Sequence, residues 1–126
     1  MNKDNLVHEI GMMLMSDPDI SSSVWRHLVM VAQVMQTSTK VNGFTYDETG
    51  EATPASPDNF AVFDKFKDLR EAMREPGRDP WKAALVRIDR ASLKISIDFE
   101  YDRPEKWLIS PATVKKMAEV LRPAEE

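Results

Sequence analysis

The sequence predicts an α+β fold: a single two-layer domain over residues 1–126, with a four-stranded antiparallel sheet and helices packed mainly on one face, in the order α-β-β-α-β-β-α. Three observations carry this expectation. Residues 93–102 alternate apolar and polar side chains with the period of two of a strand. Stretches near both ends and in the middle repeat apolar residues at the three- and four-residue spacing of helices. Proline- and glycine-bearing breaks separate these segments. A chain of 126 residues fits one hydrophobic core and is short for two.

From about Asn5 to Met15, the residues Leu6, Val7, Ile10, Met13 and Leu14 follow amphipathic spacing, with Asn2 or Asp4 available as a cap. Asp17-Pro18-Asp19 then reads as a turn, since proline cannot continue the hydrogen-bond ladder. Val24 to Gln36 has no Gly or Pro and is compatible with helix or strand. A strand is expected, because the following Thr- and aromatic-rich segment, broken by Asn42-Gly43, looks like its partner in a hairpin over residues 24–47. Thr49 to Pro57 lacks large apolar side chains and is expected to be a loop.

Ser56-Pro57 has the form of an N-cap with proline at the first helical position, opening a helix with Phe60, Phe63, Phe66, Leu69 and Met73 as its stripe. Glu75-Pro76-Gly77 ends that helix. A second hairpin spans residues 82–102 and places Leu93, Ile95, Ile97, Phe99 and Tyr101 toward the core. Lys94, Ser96, Asp98, Glu100 and Asp102 face outward. Ser110-Pro111 opens a last helix with Val114, Met117, Ala118 and Leu121 inward, and Pro123 closes it.

The composition narrows the function classes. With 42% hydrophobic and 30% charged residues, the chain lies outside the range of wholesale disorder. A net charge of -4 argues against a nucleic acid or an anionic membrane as partner and favours a basic one. The absence of cysteine removes disulfides and thiolate chemistry and fits a reducing cytosol. No signal-peptide pattern opens the sequence and no run nears the roughly 20 apolar residues of a membrane span, so a cytoplasmic location is expected. His8 and His27 lack metal spacing, the serines at 21–23 form no nucleophile elbow, and the four glycines form no phosphate loop. The row Asp98, Glu100, Asp102 is flat rather than convergent, which suits a solvated or partner-binding face better than a metal cage. No catalytic, cofactor or metal site is therefore expected. Trp25, Trp81 and Trp107 read as anchors at the edge of the core, and any of them left exposed becomes a candidate hot spot.

Phe63 and Phe66 on the middle helix, Gly77 after it, Pro80-Trp81 before the next strand and the run Asp98-Phe99-Glu100-Tyr101-Asp102 together resemble the YezG-like family of small bacterial immunity proteins, over about residues 60–107. The resemblance implies a cytosolic antitoxin that binds and blocks a cognate polymorphic or contact-dependent toxin domain, often a nuclease, with no catalytic residue or cofactor of its own. The chain would act as a monomer or weak homodimer. Asp98, Glu100 and Asp102 become the expected contacts to a basic toxin, with Glu48 and Glu51 at the rim and Trp107 as an anchor. Lys65, Lys67, Arg70, Arg74 and Arg78 on the middle helix run against this acidic character. A small acidic secretion chaperone is the alternative, and it would use spare apolar surface at Met12 and Met15.

Overall fold

Every residue of the segment HLVMVAQV after its first is buried, which a strand achieves only at the centre of a sheet covered on both faces. In the computed structural model, which describes residues 3–22, 24–35 and 38–123, this segment is β1 (His27–Val34). It pairs antiparallel with β2 (Thr39–Tyr46) and with β4 (Ala83–Asp89). The short β3 (Ala52–Ala55) flanks β2 and β5 (Lys94–Glu100) flanks β4, giving a five-stranded antiparallel sheet of order β3-β2-β1-β4-β5. The helices are α1 (Lys3–Ser16), α2 (Pro18–Ser21), α3 (Ala61–Ala72) and α4 (Val114–Val120), with a 3-10 turn at Pro104–Trp107. The α+β class and both hairpins agree with the sequence expectation, and the strand expected over 24–36 runs from His27 to Val34.

Two expectations are corrected. The sheet has five strands rather than four, because the 49–57 stretch contains β3. Backbone pairing to β2 holds this strand, with Ala52 and Ala55 packed against the two cores, and Pro54 is tolerated on it because β3 is an edge whose outer side needs no donor. The helices also cover both faces. Leu28, Met30 and Ala32 on β1, with Val41, Val86 and Ile88, pack against Leu6, Ile10 and Leu14 of α1 and Val62, Phe66 and Leu69 of α3. Val29 and Val31, with Phe44, Tyr46 and Leu85, pack against Trp107, Ile109, Met117 and Leu121 on the opposite side. The element order is thus α-α-β-β-β-α-β-β-α.

Local differences have identifiable causes. Helix α3 starts at Ala61 instead of Ser56-Pro57, and its inward stripe is Val62, Phe66 and Leu69, leaving Phe60 exposed with its edge toward Phe63. The residues before it are engaged elsewhere. The carboxylate of Asp17, 2% exposed, accepts from the backbone amides of Asp19 (3.0 Å), Asp58 (2.8 Å) and Asn59 (2.8 Å), so it caps α2 and ties the 57–59 loop to the end of α1. Asn42-Gly43 lies within β2, and the hairpin connection falls between Met35 and Ser38, where the Met35 amide donates to the Ser38 carbonyl. Gly43 is required by close approach, because a Cβ there would run into the Val29 carbonyl oxygen. Leu93 is exposed, in the β4–β5 turn at a positive φ of 57°, and does not join the core row. Asn2, expected as a cap, and Gln36, expected to end the first strand, lie outside the described residues.

Helix α4 is fixed by Tyr46, whose hydroxyl donates to the Ala118 carbonyl at 2.7 Å and whose ring lies under the Arg122 guanidinium. Burial pushes its pKa from 10.0 up to about 12; the Arg122 charge opposes the shift and Glu119 adds to it. The folded state therefore holds the neutral phenol more tightly than the unfolded chain does. Stability from this group is intact below pH 10 and declines as the pH rises toward 12. Tyr46→Phe is expected to flatten the alkaline limb of a stability-versus-pH curve measured by urea unfolding. Asp17→Ala orphans three amides and is expected to cost about 3 kcal/mol in the same assay, with Asp58→Ala as a near-neutral control.

Candidate partner-binding surface

The alternation read from the sequence places β5 against β4 in the register Ala83↔Glu100, Leu85↔Asp98, Arg87↔Ser96 and Asp89↔Lys94. Its apolar row is only half-buried. Ile95, Ile97, Phe99 and Tyr101 pack against the first core, where Gly11 of α1 admits Ile95 at a distance that any Cβ would prevent. The Phe99 ring meets Trp81 at 5.4 Å between centroids, and Arg78 lies 4.1 Å over Tyr101. Between α1 and β5 runs an open groove of about 500 Å³ lined by Asp4, Val7, His8, Leu93, Ile95, Ile97 and Phe99.

On the other face, α4 and the 3-10 turn pack on β1, β2 and the Ala83–Leu85 part of β4. Lys94, Ser96 and Asp98 of β5 stay exposed there, with Arg87 half-buried beside them. Arg87 and Asp98 form an ion pair across the β4–β5 ladder. The two oxygens of Glu100 do different work. Oε2 accepts from the amides of Asp102 and Arg103 at 3.2 Å each, and Oε1 lies 3.7 Å from the Lys106 ammonium. The Arg103 and Asp102 amides hold the Glu100 carboxyl below its ordinary range, against partial desolvation and with help from Lys106. Glu100 shapes the turn after β5, and of the three predicted carboxylates Asp98 and Asp102 are the exposed ones.

The predicted rim separates from this face. Glu48 and Glu51 are exposed in the β2–β3 turn, which is organised by Asp47 accepting from Thr49 and Glu51. That turn sits at the opposite edge of the sheet from β5, four strand spacings or about 19 Å away. It also follows Tyr46, which pairs with His27, whereas Glu100 lies at the far end of the strands beside Ala83. Trp107, expected as an anchor at the edge of the core and named among the partner contacts, is 8% exposed and packed in the second core with its ring beside Lys106, which leaves it little surface for a partner. The basic residues of α3 and of the segment that follows it are satisfied locally. Lys65 pairs with Glu9, Lys67 with Asp64, Arg74 with Glu71 and Arg78 with Glu75, while Arg70 Nε donates to the Trp81 carbonyl.

A second hollow, about 340 Å³, lies between β2, β3 and the 109–114 segment, but Lys40 Nζ and Asn42 Nδ2 both donate to the Ile109 carbonyl and close its polar side. Among the described residues no group of three or more His, Asp or Glu side chains could hold a metal ion, and no helix is long and apolar enough to cross a membrane.

Comparison with protein-family models and with curated proteins gives no match for this chain. The edge position of β5 is what sequence reading missed. Alternation marks a strand but not its place in the sheet, and the one available signal was that Ile95, Ile97 and Phe99 are flanked by Lys94 and Glu100 rather than by further apolar residues.

Asp98→Lys and Glu100→Lys are not equivalent here. Thermal unfolding followed by circular dichroism is expected to show a lower midpoint for Glu100→Lys than for Asp98→Lys, since only the former removes an acceptor shared by two amides.

Proposed function

We propose that this chain is an immunity protein that binds a cognate toxin domain over the uncovered part of the sheet formed by β5 and the Arg87 end of β4. The observation that carries the reading is positional: the Asp98-Phe99-Glu100-Tyr101-Asp102 run, which bears the family resemblance, turns its acidic side chains to the sheet face that, among the described residues, no helix covers at β5. Asp98 and Asp102 supply exposed carboxylates to a basic partner, and Arg87 supplies a fixed counter-charge that sets register. The net charge of -4 steers association with such a partner. Inhibition by binding requires shape and charge only, and the half-buried row behind the carboxylates gives this face a rigid backing. The secretion-chaperone reading keeps one supporting feature, the exposed Met12 on α1.

Co-expression with the toxin domain encoded beside this chain tests the reading. Growth rescue and co-purification are expected, and a harmless, non-binding neighbour product would refute it. Within a binding pair, Asp98→Lys with Asp102→Lys is expected to weaken affinity about tenfold or more, while Glu48→Lys with Glu51→Lys at the far edge leaves it unchanged in calorimetry.

A further inference from the structure

We propose that β5 pairs edge to edge with β5 of a second copy of this chain, antiparallel about a two-fold axis at Ile97, joining two five-stranded sheets into one of ten strands. This inference is independent of the toxin-binding reading. It starts from the direction of the backbone groups. The Arg90 amide donates to the Arg26 carbonyl and the Val34 amide to the Lys82 carbonyl, so even-numbered residues of β4 point their amides and carbonyls toward β1. Odd-numbered residues of β4 then face β5, and through the register Leu85↔Asp98 and Arg87↔Ser96 they bond the even-numbered residues of β5. Ile95, Ile97 and Phe99 consequently turn their amides and carbonyls outward at the end of the sheet. Among the described residues, no backbone hydrogen bond outside the helices and strands involves these three.

Because only odd-numbered residues offer outward groups, the registers open to a symmetric pair differ by steps of two. The register centred on Ile97 uses all of β5: Ile95 meets Phe99 of the second copy, Ile97 meets Ile97, Ser96 meets Asp98 and Lys94 meets Glu100. Every apolar position opposes an apolar one, and each cation opposes a carboxylate. Glu100 is already fixed by the Asp102 and Arg103 amides, so little side-chain freedom is lost when Lys94 arrives. Shifting the register one way sets Asp98 against Asp98, and shifting it the other way shortens the overlap and leaves Glu100 without a cation from the second copy. The half-exposed groove of Val7, Leu93, Ile95, Ile97 and Phe99 from each copy meets across the axis, giving the dimer an apolar flank. The uncovered faces of β4 and β5 from both copies also merge into one floor four strands wide, bounded by α4 of each copy.

The test combines sedimentation equilibrium with designed variants of the full chain. The unmodified protein is expected to be a dimer at sub-millimolar concentration. Lys94→Glu alone and Glu100→Lys alone should each weaken dimerisation about tenfold or more by opposing like charges. Mixing those two variants should restore the dimer as a heterodimer, because each new charge then meets its complement. Since the chain has no cysteine, Ile97→Cys should cross-link to itself on mild oxidation, the paired Cα atoms lying about 5.5 Å apart, within disulfide range. Circular dichroism confirms folding of each variant. A monomer at all concentrations, or a dimer that neither variant weakens and Ile97→Cys does not lock, overturns the proposal.

Discussion

The burial of β1 on both faces is the constraint from which the architecture follows. A strand written HLVMVAQV cannot leave either side in water, so the sheet needs apolar cover above and below, and the chain supplies it unequally. Helices α1 and α3 form a full layer on one side. On the other, the main cover is α4, seven residues or about 10 Å long, set against a sheet about 19 Å wide. One short helix cannot span five strands. It sits over the centre, where Tyr46, Trp107 and Met117 hold it, and β5 is left with one bare face and one bare edge.

That shortfall explains the mixed character of β5. Its inward row is half-buried rather than sealed: α1 meets Ile95 at Gly11 and leaves an open groove beside Val7 and His8, while Trp81 and Arg78 cover Phe99 and Tyr101. Its outward row is polar and, among the described residues, no helix covers it, and its charges are partly spoken for: Asp98 by Arg87, Glu100 by the amides that follow it and by Lys106. A partner approaching this surface meets an ordered pattern of charges rather than a uniformly acidic stripe. Pre-set geometry of that kind favours discrimination between partners more than raw affinity.

Much of the fold was legible in the sequence where periodicity and chemistry agree. The 94–101 alternation, the stripes of α1 and α4, and the end of α1 before Pro18 each express one local rule, although Asp17-Pro18-Asp19, expected as a turn, opens α2 instead. What was hidden depended on contacts distant in sequence. β3 has no apolar pattern because β2 supplies its pairing. The Ser56-Pro57 cap signal was overridden because Asp17, some 40 residues earlier, captures the Asp58 and Asn59 amides. Gly43 imitates a turn residue, yet it serves a close approach to Val29. The candidate site was half legible: alternation identified Asp98 and Asp102 as outward, but only the strand order separates them from Glu48 and Glu51, and only the second core claims Trp107.

Amide hydrogen exchange, resolved by residue, on the chain alone and with the toxin domain proposed as its partner addresses the uncovered β5 surface most directly. Slowed exchange on binding is expected along 94–103 and around Arg87, with the β2–β3 turn and α3 unchanged. Protection confined to the β3 edge or to α3, with β5 unaffected, would contradict the assignment of the partner surface.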